Sequence, residues 1–161
     1  MIGRRGRGVA DQPGPADSYG AVMGRLRVVL ADDNYLVRQG VAALLREVDT
    51  IELVDTVGSL DGLLRSVEEN HPDVVLTDIR MPPSFSDEGI VAAKRIRADY
   101  SGTGVLVLSQ FVEEEYALEL LSEGVAGLGY LLKERVSDLD ELVRALESVA
   151  RGGSALDPRV V

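Results

Sequence analysis

The sequence predicts an α/β domain: a five-stranded parallel sheet covered by helices on both faces. Three observations carry this reading. Short apolar runs alternate with longer segments that repeat apolar residues at helical spacing. Each helical segment lies between two strand-like runs, the pattern of parallel strands joined by crossover helices. Four of the five apolar runs also end at a polar residue that is suited to a ligand site.

Residues 1–24 are rich in Gly, Arg, Pro, Asp and Ser. Such a stretch buries little, so it is expected to be a disordered extension, natural or left from expression. The pattern changes at Arg25, and residues 25–153 are expected to form the domain. Leu26 to Ala31 reads as a buried strand ending in Asp32-Asp33-Asn34. Leu36, Val37, Val41, Leu44, Leu45 and Val48 then follow at helical spacing. Ile51 to Val57 is the second strand, and Ser59 is placed to cap a helix carrying Leu60, Leu63, Leu64 and Val67. Pro72 prevents that helix from continuing.

Val74 to Thr77 is the third strand, ending at Asp78. Met81-Pro82-Pro83-Ser84 must be loop, and a helix is predicted from about Glu88 to Ala98. Val105 to Leu108 is the fourth strand, ending at Ser109. A helix over Glu113 to Glu123 follows, with Gly124 as its stop. Leu128 to Leu132 is the fifth strand, ending at Lys133. Ser137, with Asp140 three residues on, opens a last helix carrying Leu139, Leu142, Val143, Leu146 and Val149. Gly152-Gly153 ends it. Right-handed crossovers leave few topologies, and the flavodoxin-like strand order 2-1-3-4-5 is expected.

Composition narrows the function. The 161 residues suit one domain with a modest extension. Hydrophobic residues are 45% and aromatics 4%, so the core must be mainly aliphatic. There is no Cys, which excludes disulfides, thiolate metal sites and cysteine nucleophiles. The net charge of −10 argues against direct nucleic-acid binding by this chain. No apolar run approaches a membrane span, and no apolar segment follows Arg4, Arg5 and Arg7 to make a secretory signal. Only Lys94 and Lys133 are lysines, against fifteen arginines, which draws attention to Lys133 after its apolar run.

In a doubly wound sheet the carboxyl ends of all strands share one edge, where ligands bind. Strands one and three are neighbours there, so Asp32, Asp33 and Asp78 converge. Close carboxylates are costly unless a cation neutralises them. Hard oxygen ligands without His or Cys suit Mg²⁺. A carboxylate in such a site can act as nucleophile and form an acyl phosphate. Lys133 can pair with the phosphoryl group, and the Ser109 hydroxyl can hydrogen-bond to it. Alone, each residue has a plainer reading: an Asp as a helix cap, Ser109 as a turn residue, Lys133 as a surface lysine.

Together, Val28-Val29-Leu30-Ala31-Asp32-Asp33-Asn34, Val74-Val75-Leu76-Thr77-Asp78-Ile79-Arg80-Met81-Pro82, Val105-Leu106-Val107-Leu108-Ser109 and Gly129-Tyr130-Leu131-Leu132-Lys133 resemble the receiver domain of two-component response regulators. The resemblance covers roughly residues 25–153 and is nearest the LuxR/NarL-type group. It implies that Asp78 is the phosphoacceptor. It implies that Asp32, Asp33, Asp78 and the backbone carbonyl of Arg80 hold Mg²⁺. Ser109 becomes the switch hydroxyl, Lys133 the phosphoryl-binding lysine, and Tyr130 the switch aromatic, which in the family moves inward on activation. The implied partners are a sensor histidine kinase, a second copy of the chain on phosphorylation, and DNA only through an output domain missing here. Residues 154–161 are read as the start of the linker to that domain. The implied location is the cytoplasm. The implied chemistry is Mg²⁺-dependent self-phosphorylation and autodephosphorylation, not an enzyme acting on other substrates.

The sequence departs from the family pattern in three places. The loop from Met81 to Gly89 is about three residues longer than usual. Glu134 follows Lys133 where many receivers have Pro, often after a cis bond; a cis Lys133–Glu134 bond would cost roughly 2.5–4 kcal/mol. Gln110 stands where a small residue is more usual, and with Arg80 and Phe111 it could restrict access to an acyl phosphate. Two rival readings remain at this point. A haloacid-dehalogenase-like phosphatase would need an Asp-X-Asp motif after strand one, where this chain has adjacent Asp32-Asp33. A receiver-like module controlled by a ligand or protein, without phosphorylation, is kept open by the longer loop. A flavin-binding flavodoxin lacks support, since no Ser/Thr/Gly-rich loop follows strand one.

Overall fold

The computed structural model describes residues 24–111 and 113–159. The extension expected over residues 1–24 lies outside the described residues except for Gly24. Eleven regular elements and one 3-10 turn follow in order: β1 (Leu26–Ala31), α1 (Tyr35–Arg46), β2 (Ile51–Val57), α2 (Leu60–Asn70), β3 (Val74–Asp78), α3 (Glu88–Asp99), β4 (Gly104–Ser109), α4 (Glu114–Leu121), β5 (Leu128–Leu132), a 3-10 turn (Lys133–Ser137), α5 (Leu139–Ala150) and β6 (Ser154–Leu156).

All strand pairings are parallel, in the order β2-β1-β3-β4-β5-β6. Successive side chains of a strand point to opposite faces. Val29, Val75, Val105 and Val107 therefore pack against Leu63, Ile90, Ile96 and Leu120 on one side. Val28, Leu30, Leu76, Leu106 and Leu108 pack against Leu45, Leu142 and Leu146 on the other. Two apolar layers on one sheet explain why the central strands read as unbroken aliphatic runs.

The predicted order 2-1-3-4-5 is present, with one strand more than the five expected. β6 pairs with β5 (Leu128 with Ser154, Gly129 with Ala155, Tyr130 with Leu156). It lies within the stretch read as the start of a linker. Three residues are too few to display strand periodicity, and Gly152-Gly153 looked like an exit rather than a turn back to the sheet. Gly152 adopts φ +91°, the left-handed conformation that permits this return.

Helix ends also differ in detail. Ser59 caps α2 as predicted, accepting from the N–H of Gly62 at 3.0 Å. The cap of α5 is Asp138, not Ser137; its carboxylate accepts from the N–H of Glu141 at 3.1 Å. Ser137 instead closes the 3-10 turn, donating to the carbonyl of Glu134 at 2.9 Å. α4 is shorter than the predicted Glu113–Glu123 stretch, running Glu114–Leu121. Lys133–Glu134 is trans; among the described residues the cis peptide is Pro82–Pro83.

Candidate functional site

The ends of β1, β3, β4 and β5 meet at one edge of the sheet, and the sequence-predicted residues meet there with them. Asp32 leaves β1 with its N–H bonded to the Val57 carbonyl at 3.0 Å. Its Oδ1 accepts from the N–H of Asn34 at 2.9 Å, and the residue is 4% exposed. Asp78 closes β3, its Oδ1 accepting from the N–H of Ile79 at 2.8 Å. The Lys133 ammonium reaches across from the end of β5. It lies 3.2 Å from Asp78 Oδ2 and 3.6 Å from Asp32 Oδ2.

Asp32, Asp33 and Asp78 each offer a carboxylate oxygen within 4.8 Å of the others. One ammonium faces three carboxylates, so the cluster keeps an excess of negative charge. Burial pushes the Asp78 carboxyl up, Lys133 pulls it down, and Asp32 pushes it up again; the balance leaves it above its ordinary value. An acidic pocket of this kind, with oxygen donors and no His or Cys, fits a hard divalent cation.

Beside these carboxylates lies a cleft of about 630 Å³, lined by Asp33, Asp78, Arg80, Phe85, Gln110 and Lys133 among others. Gln110 is exposed where it lines the cleft, as is Phe85 from the long loop; Phe111 is exposed but does not line it. That loop is ordered by Glu88, a residue the sequence reading used only as a helix start. The buried Glu88 carboxylate accepts from the Ser84 N–H at 2.6 Å, the Ser84 hydroxyl at 2.5 Å and the Ser86 N–H at 3.0 Å. Burial pushes this carboxyl up, but the hydrogen bonds from Ser84 and Ser86 prevail and hold it at about 2. Next to it, Gly89 packs on the Asp78 carbonyl, where a Cβ would collide with backbone. Its N–H bonds the Ile79 carbonyl at 2.7 Å, which fixes the end of β3.

Ser109 closes β4 and is 1% exposed, but its hydroxyl is engaged away from Asp78. It bonds the Phe111 carbonyl at 2.5 Å and Glu113 Oε1 at 3.1 Å. The Glu113 carboxylate in turn accepts from both terminal nitrogens of the Arg80 guanidinium, at 2.8 and 2.7 Å. Arg80 also lies over the Tyr116 ring, 5.9 Å from its centroid. The sequence reading missed Glu113; a Glu before a helix carries no periodic signal. Tyr130 is already inward, 1% exposed, and its hydroxyl has no hydrogen-bond partner among the described residues. Burial raises its phenol. The ring and the hydroxyl of the expected switch are therefore not in matching positions.

The response regulator receiver domain family matches residues 28–147. The chain is 33% identical over 135 residues to the oxygen regulatory protein NreC of Staphylococcus carnosus, covering 84% of this chain and 59% of that protein. It is 35% identical over 136 residues to the transcriptional regulatory protein DegU of Brevibacillus brevis, covering 84% of this chain and 55% of that one. The chain thus spans less than two thirds of the length of these relatives. Among solved structures, it is similar to a two-component response regulator of the LuxR family from Aurantimonas sp. SI85-9A1, with TM-score 0.69 and 26% identity, covering 84% of this chain and 92% of that one.

Proposed function

The chain belongs to the response regulator receiver family, in its LuxR/NarL-type group, and on that premise we propose that Asp78 accepts a phosphoryl group from a sensor histidine kinase. The observation that carries the proposal is the Lys133 ammonium 3.2 Å from Asp78 Oδ2, inside a cluster with Asp32 and Asp33. In the transfer, a carboxylate oxygen of Asp78 attacks phosphorus. The bond from phosphorus to the donor imidazole nitrogen breaks, and the imidazole leaves with the electron pair. Lys133 orients the phosphoryl oxygens and offsets their charge. Asp32, Asp33, Asp78 and the carbonyl of Arg80 would hold Mg²⁺, which when bound would supply further positive charge to offset that of the phosphoryl group.

Once Asp78 carries the phosphoryl group, the Ser109 hydroxyl must exchange Glu113 and Phe111 for a phosphoryl oxygen. Tyr130 needs little movement, being buried already. The output we propose is the one its relatives' names suggest: control of transcription through a DNA-binding domain, with a second copy of this chain as partner after phosphorylation. The proposed location is the cytoplasm; among the described residues no helix is long and apolar enough to cross a membrane. The chain acts on its own Asp78 and on no other substrate. Incubation with acetyl phosphate and Mg²⁺ should add one phosphoryl mass to the parent chain and none to Asp78→Asn. Labelling that survives in Asp78→Asn would sink the assignment.

A further inference from the structure

We propose that Asp157 is a positioning residue for Lys133, which makes the C-terminal strand β6 a working part of the phosphoryl site. The proposal rests on the reading of Asp78 as phosphoacceptor. Asp157 follows β6 and is 0% exposed. Its Oδ2 accepts from the Leu132 N–H at 3.1 Å and from Arg135 Nε at 2.9 Å. Its Oδ1 accepts from Arg135 Nη2 at 3.2 Å and from the Arg159 N–H at 3.0 Å. Its own N–H donates to the Tyr130 carbonyl at 2.8 Å. One carboxylate thus holds the residue just before Lys133 and a side chain two residues after it.

This arrangement matters because the 3-10 turn Lys133–Ser137 buries none of its own residues. Only Val136 packs, half-buried, against the core, so the polar clamp supplies much of what places the backbone around Lys133. Burying a charge is costly unless it is paired and hydrogen-bonded. Here it is both: burial pushes the Asp157 carboxyl up, and Arg135 with the two N–H donors holds it at about 2. A second contact, Arg159 Nη1 to Glu134 Oε1 at 3.2 Å, ties the segment after β6 to the residue after Lys133. A misplacement of about 1 Å in a group that orients a reacting atom can cost up to roughly a hundredfold in rate. Coupling is reciprocal: if docking of β6 favours the Lys133 pose that meets the phosphoryl group, phosphorylation favours docking of β6 by the same factor.

The test compares labelling by acetyl phosphate with Mg²⁺ for the parent chain, Asp157→Asn, Arg135→Gln, Lys133→Ala and the double variant Asp157→Asn/Lys133→Ala. Each is measured at a temperature where circular dichroism shows it folded. Asp157→Asn and Arg135→Gln are each expected to slow labelling about tenfold. Asp157→Asn is expected to add nothing in the Lys133→Ala background, because the group it positions is gone. The proposal is overturned if Asp157→Asn labels within about twofold of the parent, or slows Lys133→Ala by the factor it slows the parent, as a merely structural residue would. Should Asp157→Asn not fold, Arg135→Gln carries the same comparison alone and with Lys133→Ala. A parent chain that takes no label, or label that survives Asp78→Asn, removes instead the phosphoacceptor reading on which this proposal stands.

Discussion

The two sides of the cleft are prepared to different degrees. On the β1–β3–β5 side, Asp32, Asp78 and Lys133 already face one another, with the ammonium 3.2 and 3.6 Å from the two carboxylates. On the β4 side, Ser109 is bonded to Glu113 and Phe111, and Arg80 is bonded to Glu113. On the proposed reading of Asp78, the first side is set for receiving a phosphoryl group. The second is occupied with itself. The difference teaches that two halves of one site need not be equally prearranged: strand ends bring the carboxylates and the ammonium together, while loop groups hold the Ser109 hydroxyl in competing bonds that phosphorylation of Asp78, as proposed, would have to break.

The largest effect should come from the prepared side. Lys133→Ala removes the only ammonium near Asp78 among the described residues. Labelling by acetyl phosphate with Mg²⁺ should fall by at least about a hundredfold, the scale seen when a preorganised charge is taken from a reacting site. Fall-off of only a few-fold would mean that Lys133 serves the fold rather than the phosphoryl group. On the occupied side, Glu113→Ala releases Arg80 and leaves the Ser109 hydroxyl only its bond to the Phe111 carbonyl among the described residues. A hydrogen bond to a charged group contributes about 1.5–3 kcal/mol. Even partial relief should tighten Mg²⁺-dependent beryllofluoride binding by up to roughly tenfold. Unchanged or weaker binding would show that the Glu113 contact does not restrain the hydroxyl.

The prepared side was also the legible one. Val28 to Ala31, Val74 to Thr77 and Leu128 to Leu132 are apolar runs that end at Asp32, Asp78 and Lys133, so a sheet topology was enough to bring those residues together. The occupied side depends on Arg80 and Glu113, which are 33 residues apart and lie in loops with no period. Nothing local in either residue announces the pair. Asp157 escaped for a similar reason: its burial depends on β6, whose pairing with β5 spans a helix and a three-residue strand. The cap of α5 was displaced by one residue because Ser137 and Asp138 are both good caps, and the 3-10 turn takes up Ser137. Side-chain bonds made by loops are settled by distant backbone, which a single sequence does not reveal.

Acid titration offers a smaller effect that separates two carboxylates of opposite sign. Glu88 is held at about 2, below its ordinary 4.5. It therefore contributes stability that is fully present above about pH 4.5 and lost as pH falls through about 2. Glu88→Gln should lower stability at pH 7 by roughly 1–3 kcal/mol, as for other buried hydrogen-bonded charged groups. That difference should shrink as the solution is acidified. Asp78 is raised, so its charge costs stability at neutral pH, and the cost is relieved as pH falls through its folded value. Asp78→Asn should accordingly be more stable than the parent at pH 7, with the gain fading in acid. Chemical denaturation at several pH values reads both slopes. A Glu88→Gln deficit that is independent of pH, or an Asp78→Asn chain less stable than the parent, would contradict these assignments.

The smallest effect should fall on Tyr130, buried in β5 among the core residues of one face. Its ring is buried, and its hydroxyl has no hydrogen-bond partner among the described residues. Removing an unsatisfied buried hydroxyl while keeping the ring relieves a desolvation cost of about 1–3 kcal/mol at most and opens little space. Tyr130→Phe should therefore leave thermal stability equal or slightly higher. It should also leave beryllofluoride affinity unchanged, because the ring is inward before the phosphoryl group arrives. Tyr130→Ala is the contrasting case, since it empties a fully buried aromatic position and should cost about 3–5 kcal/mol. If Tyr130→Phe instead weakens beryllofluoride binding, the hydroxyl must gain a partner in the phosphorylated state. The response would then need more than the exchange at Ser109, and Tyr130 would belong with the side of the cleft that rearranges.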